Sequence, residues 1–192
     1  MVRRDFLKNS ALVAATAALY SPLSAAGLSD SDEHKVIAIV SESANETGYK
    51  SALSNANKVD DLILLGSDKL ENMRTLSAVM EKNKGTLFCG LLAPSDYAIL
   101  SHVAIATNAK FISEIAHTPL NSGIQHTENT FSHMSVKKAF DEFAQVNADR
   151  YGIAVSAYHT IGTHNTRAME KQTNFASDHT AKNAFVSFVL KA

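Results

Sequence analysis

Eight histidines stand at positions 34, 102, 117, 126, 133, 159, 164 and 179 of the 192-residue chain, and six of them lie beyond residue 116. A neutral imidazole is a ligand for Zn, Cu or Fe and a base near neutral pH. Histidines gathered by a fold therefore make either a metal site or a proton-transfer site. His117, His126, His133, His159 and His164 are the candidates for such a cluster. No two of them have the i, i+4 spacing that puts two ligands on one helix face, and H-E-x-x-H does not occur, so only tertiary structure could assemble them. His102 is expected inside a helix as a structural residue, and His34 in a polar, flexible start to the mature chain.

A second set of polar residues follows strand-like runs: Ser41, Ser67, Asp68, Ser95 and Asp96. Residues at the carboxyl ends of parallel strands and the amino ends of the following helices meet free backbone N–H groups and a positive field. A small carboxylate or phosphate-bearing ligand is suited to such a place. The same side chains serve equally as helix caps.

Several familiar chemistries are missing. G-x-G-x-x-G, the phosphate-cradling G-x-x-x-x-G-K-S/T and the G-x-S-x-G nucleophile elbow do not occur. The single Cys89 closes no internal disulfide and belongs to no C-x-x-C-H haem motif or iron–sulfur cluster motif. Within TLFCGLL it reads as a small buried hydrophobe. The cofactor is left unassigned, a transition metal at the histidines being the one the residues suggest.

The elements that would position these residues follow from apolar patterning. Val36–Ser41, Asp60–Gly66, Thr86–Leu92 and Lys110–Ile115 are short, nearly continuous apolar runs, as expected of strands buried on both faces. Between them, Glu42–Lys58 reads as a helix weakened at Gly48. A second helix, capped by Ser67 or Asp68, turns Leu70, Met73, Leu76 and Met80 inward, and a third runs from Pro94 to Ala109 with Tyr97, Leu100, Val103 and Ala104 on one side. After a turn-like HTPLNSG, Gly123–Ser135 is polar and patternless. Val136–Arg150 reads as a helix and Tyr151–His159 as a strand; residues 160–183 lack a clear period. Ala184–Leu190 reads as a strand pairing at an edge, antiparallel. The class expected is α/β: three layers, a mostly parallel sheet with helices on both faces and an antiparallel C-terminal edge strand. In that topology His117 and His159 end strands on the carboxyl rim, and His126, His133 and His164 sit in loops over it.

The first 26 residues, MVRRDFLKNSALVAATAALYSPLSAA, have another character. Arg3, Arg4 and Lys8 make a positive head, Ala11–Leu19 is apolar but alanine-heavy, and Ser24-Ala25-Ala26 offers the small residues that a signal peptidase needs. Arg3-Arg4-Asp5-Phe6-Leu7-Lys8 resembles the bacterial twin-arginine export consensus, with Arg3, Arg4, Phe6 and Leu7 as its matching positions and Val2 where Ser or Thr is usual. The resemblance implies delivery to the periplasm by an export machinery that takes folded cargo. Such cargo often holds a cofactor or travels with a partner that does. The organisation expected is a signal peptide at 1–26 and one α/β domain at 27–192, with no stable membrane anchor after cleavage, since the apolar run is far short of about 20 residues.

The leader holds three of the 18 basic and one of the 19 acidic side chains, so the remaining 166 residues carry a formal charge of −3. Without a basic block there is no electrostatic footprint for nucleic acid. Three functions stay open: an exported accessory or ligand-binding subunit of a redox system, with an oxidoreductase as partner; a small histidine-dependent metal-binding enzyme; or a passenger that crosses bound to a partner and holds no cofactor itself.

Overall fold

Strands with apolar residues on both sides need cover on both sides, and the computed structural model supplies it. It describes residues 35–55, 59–130, 151–161, 171–177 and 181–192. The elements are β1 (Val36–Ser41), a 3-10 helix (Glu42–Thr47), α1 (Tyr49–Asn55), β2 (Asp61–Leu65), α2 (Lys69–Lys82), β3 (Leu87–Leu92), α3 (Pro94–Ala106), β4 (Lys110–Leu120), β5 (Gly123–Thr130), α4 (Gly152–Ile161), β6 (Lys171–Ser177) and β7 (Phe185–Lys191). The leader, the helix expected at 136–150, and His34, His133, His164 and His179 lie outside the described residues.

The seven strands form one mixed sheet in the order β2-β1-β3-β7-β4-β5-β6. β2, β1 and β3 are parallel, joined by helical crossovers, while β7, β4, β5 and β6 add in antiparallel fashion. This is the α/β architecture expected. One face carries α2 and α3 over a core built from Ile37, Ile39, Leu65, Leu76, Met80, Phe88, Leu92, Leu100, Val103, Ala104, Phe188 and Leu190. On the other face Tyr49 of α1 meets Cys89 of β3, and Tyr151, at the start of α4, packs its ring on His117 of β4. At Gly90 the backbone of β1 and the Phe188 ring come so close that a Cβ would lie 2.0 Å from the Ile39 carbonyl oxygen and 2.5 Å from the ring.

Five local expectations are corrected. β7 is antiparallel, but it lies in the middle of the sheet between β3 and β4 rather than at an edge. Phe185, Ser187, Phe188, Val189 and Leu190 are all buried, and a strand apolar on both faces belongs inside a sheet. Residues 152–161 form a helix instead of a strand: Tyr151, Val155 and His159 are buried at spacings of four, the helical period. The 42–58 segment is broken at Gly48, whose φ of 77° ends the 3-10 helix in a left-handed cap before α1 begins. Finally, 117–130 is a hairpin rather than a turn and a loop. β4 continues to Leu120, and β5 alternates buried Ile124, His126 and Glu128 with exposed Gln125 and half-buried Thr127. In α2 the inward row is Asn72, Leu76 and Met80, while Leu70 and Met73 are exposed.

A bulge in β4 decides what faces what. Phe111 opposes Leu190 but Ser113 opposes Val189, so Ile112 is an extra residue. It shifts the alternation by one. Glu114 therefore points to the α3 face, where its carboxylate accepts from the Tyr97 hydroxyl, and Ser113, Ile115 and His117 point to the α1/α4 face.

Candidate functional site

Two polar clusters lie near the carboxyl end of the parallel strands, one on each face. The first is where β1 and β3 part: the connection from β1 leads outward to β2, and that from β3 leads the other way, which makes this the topological switch point of the sheet. Ser41 ends β1, and its hydroxyl donates to Asp96 Oδ2 (2.6 Å) while accepting from the Ala93 N–H (2.9 Å). Asp96 Oδ1 accepts from Lys69 Nζ (2.7 Å) and Asn72 Nδ2 (3.0 Å), and Asn72 also donates to the Gly66 carbonyl (2.9 Å). Of the five ligand candidates, Ser41 and Asp96 are thus joined. Asp68 caps α2, accepting from Leu70 and Glu71 N–H at 2.9 and 3.1 Å, and Ser67 and Ser95 are exposed. Both oxygens of the buried Asp96 carboxylate are engaged by protein donors, so this cluster locks α2 and α3 to the strand ends. Lys69 and Asn72 escape a reading of the sequence, although Asn72 occupies the inward row of α2.

The second cluster gathers three of the five candidate histidines. His117 on β4 and His126 on β5 are directly opposed in the hairpin, with Nδ1 to Nδ1 at 2.7 Å and rings edge to face at 5.0 Å. One of the two nitrogens carries the proton and the other accepts it. His117 Nε2 is hydrogen bonded to the Ser187 hydroxyl of β7 (2.9 Å), and the His126 ring stacks on Phe175 of β6 (4.7 Å, 25°). Tyr151 lies over both imidazoles, at 5.1 Å from His117 and 6.2 Å from His126, and its buried hydroxyl has no hydrogen-bond partner among the described residues. From α4, His159 Nδ1 is hydrogen bonded to the Tyr49 hydroxyl (2.6 Å), which also contacts the Cys89 thiol. Glu128 is fully buried two residues along β5 from His126, on the same side of the strand.

The expected rim is right in height and wrong in detail. The row Ser41, Leu92, Val186 and Ala116 runs across the sheet, and His117 is one residue past it, so His117 stands level with the carboxyl ends of β1 and β3. It is nevertheless inside a continuing strand, His126 is in a strand rather than a loop, and His159 is on a helix. The three meet on a sheet face under α4. Tyr49, Tyr151, Glu128 and Ser187 complete the cluster. The legible signal for Glu128 was its period-two spacing from His126.

Burial sets the electrostatics. His117 is held well below the usual imidazole range, first by desolvation and then by the neighbouring His126 and His159, so it is neutral at neutral pH. Burial raises the Tyr49 and Tyr151 phenols, and it pushes the Cys89 thiol up to about 12 despite a hydrogen bond with Tyr49 that lowers it. Cys89, expected as a buried small residue, is that, and it is a protonated thiol rather than a nucleophile. His102 is exposed on α3. Among the described residues no group of three or more His, Cys, Asp or Glu side chains converges with the geometry of a metal site, and no helix is long and apolar enough to cross a membrane.

What fold and site together define is an α/β protein with a buried histidine–tyrosine face. No protein-family model, curated protein or solved structure matches the chain.

Proposed function

We propose that this protein works in the periplasm as an accessory, ligand-binding subunit of a redox system, with the histidine–tyrosine face as its binding site. One observation carries the reading: His117, His126, His159, Glu128, Tyr49, Tyr151 and Ser187, supplied by five different elements, are collected on one buried face. Burying so many polar groups costs stability that an apolar core of the same volume would not, and such violations concentrate at working sites. The Arg3-Arg4-x-Phe6-Leu7-Lys8 leader supports the location and the redox association. With its thiol protonated, Cys89 is a poor redox group at neutral pH, which favours a role in serving an oxidoreductase partner over a thiol enzyme.

The test is fractionation after native export. The protein is expected in the periplasmic fraction with residue 27 as its first, and to co-purify with a larger oxidoreductase. Changing Arg3 and Arg4 to Lys should leave the full-length chain in the cytoplasm. Undiminished export of that variant, or a periplasmic protein that never co-purifies with an oxidoreductase, would overturn the corresponding half of the proposal.

A further inference from the structure

We infer that His117 and His126 form a binding site for a divalent transition-metal ion. The inference rests on the histidine face being the working site, and it names the ligand of that face. Three observations carry it. The two residues are register partners on adjacent antiparallel strands, so the backbone itself fixes the pair. Their Nδ1 atoms point at one another across 2.7 Å. Metal–nitrogen bonds of about 2.0–2.1 Å with tetrahedral angles need nitrogens roughly 3.3 Å apart, so an ion would widen the pair by roughly 0.6 Å. Outer partners hold both rings: the Ser187 hydroxyl on His117 Nε2 and the Phe175 ring against His126. Such contacts orient metal-binding imidazoles.

Imidazole donors suit Zn, Co, Ni and Cu rather than Mg or Ca. Glu128 is one same-side step along β5 from His126, roughly 7 Å. Among the described residues no third His, Cys, Asp or Glu converges with the pair.

The experiment uses the exported chain, stripped by dialysis against chelator and titrated with Co(II), read by ligand-field absorption, and with Zn(II), read by equilibrium dialysis. One ion per chain is expected. His117→Asn and His126→Asn each keep an amide near the position of Nδ1, which preserves a hydrogen bond across the pair, and circular dichroism would verify their fold. Each should weaken binding at least tenfold, whereas His102→Asn on the exposed side of α3 should leave it unchanged. Absence of saturable uptake by the wild-type chain, or uptake that survives both substitutions, would overturn the inference. A metal-free wild-type protein that still co-purifies with its oxidoreductase would sink the metal site and leave the accessory role standing.

Discussion

The neutrality of His117 has a consequence for stability. Its folded-state pKa is depressed, so the unfolded chain takes up a proton at a higher pH than the folded one does. The stabilising contribution is complete above the unfolded value of about 6.5 and is lost as pH falls below it, with a slope of up to about 1.4 kcal/mol per pH unit for one proton. Urea unfolding of metal-free protein at pH 7, 6 and 5 should show that decline, and His117→Asn, which has no proton to gain there, should flatten part of it. A wild-type stability that does not change between pH 7 and 5 would contradict a buried neutral imidazole. Gly90 makes a steric counterpart. Gly90→Ala sets a methyl 2.0 Å from the Ile39 carbonyl oxygen and against Phe188, a flexible partner on one side but backbone on the other. A loss of about 3 kcal/mol or more is expected in a denaturant melt. At this scale the sequence was informative about identity: His117, His126 and His159 stood among five candidate ligands, and Ser41 and Asp96 among five candidate rim residues. Their partners were not readable. Tyr49, Tyr151 and Ser187 become site residues only through contacts with elements distant in the chain.

At the scale of elements, the strands and helices of the amino-terminal half were legible because each has an apolar face or an apolar run of the right period. The failures have a common physical cause. β5 turns His126 and Glu128 inward, so its alternation in burial from Ile124 to Glu128 is invisible to hydrophobicity. The α4 segment is rich in β-branched and aromatic residues, yet tertiary packing of Tyr151, Val155 and His159 selects the helix. The bulge at Ile112 has no signature in composition, but it decides that His117 faces His126's side of the sheet cover rather than α3. Helix ends were better marked. Asp68 accepts from two N–H groups of the first turn of α2, so Asp68→Ala should cost about 1 kcal/mol, measurable as a shift in the urea midpoint with an unchanged slope. A shift indistinguishable from zero would mean that the Ser41–Asp96–Lys69–Asn72 lock alone fixes this helix end.

The whole molecule joins a parallel, crossover-built half to an antiparallel, hairpin-built half through one strand. β7 pairs with β3 on one side and β4 on the other, and Ala192 continues the tie by accepting from the Gly85 N–H (2.6 Å) and donating to the Thr86 carbonyl (3.1 Å). The last apolar run of the chain is therefore what brings Cys89 and Tyr49 to the same face as His117, His126 and Ser187. The antiparallel half supplies the imidazole pair, and the helices of the other face seal the strand ends. This division explains why class was readable from the first hundred residues while the site, which draws on both halves, was not. The proposal that unites these observations is that the histidine–tyrosine face holds a ligand. It is tested most directly by native mass spectrometry of the chain released from the periplasm. The account predicts a mass above that of the bare polypeptide beginning at residue 27 for the wild type, and the bare mass for the His117→Asn, His126→Asn double variant. A wild-type chain flying at the bare polypeptide mass would contradict it.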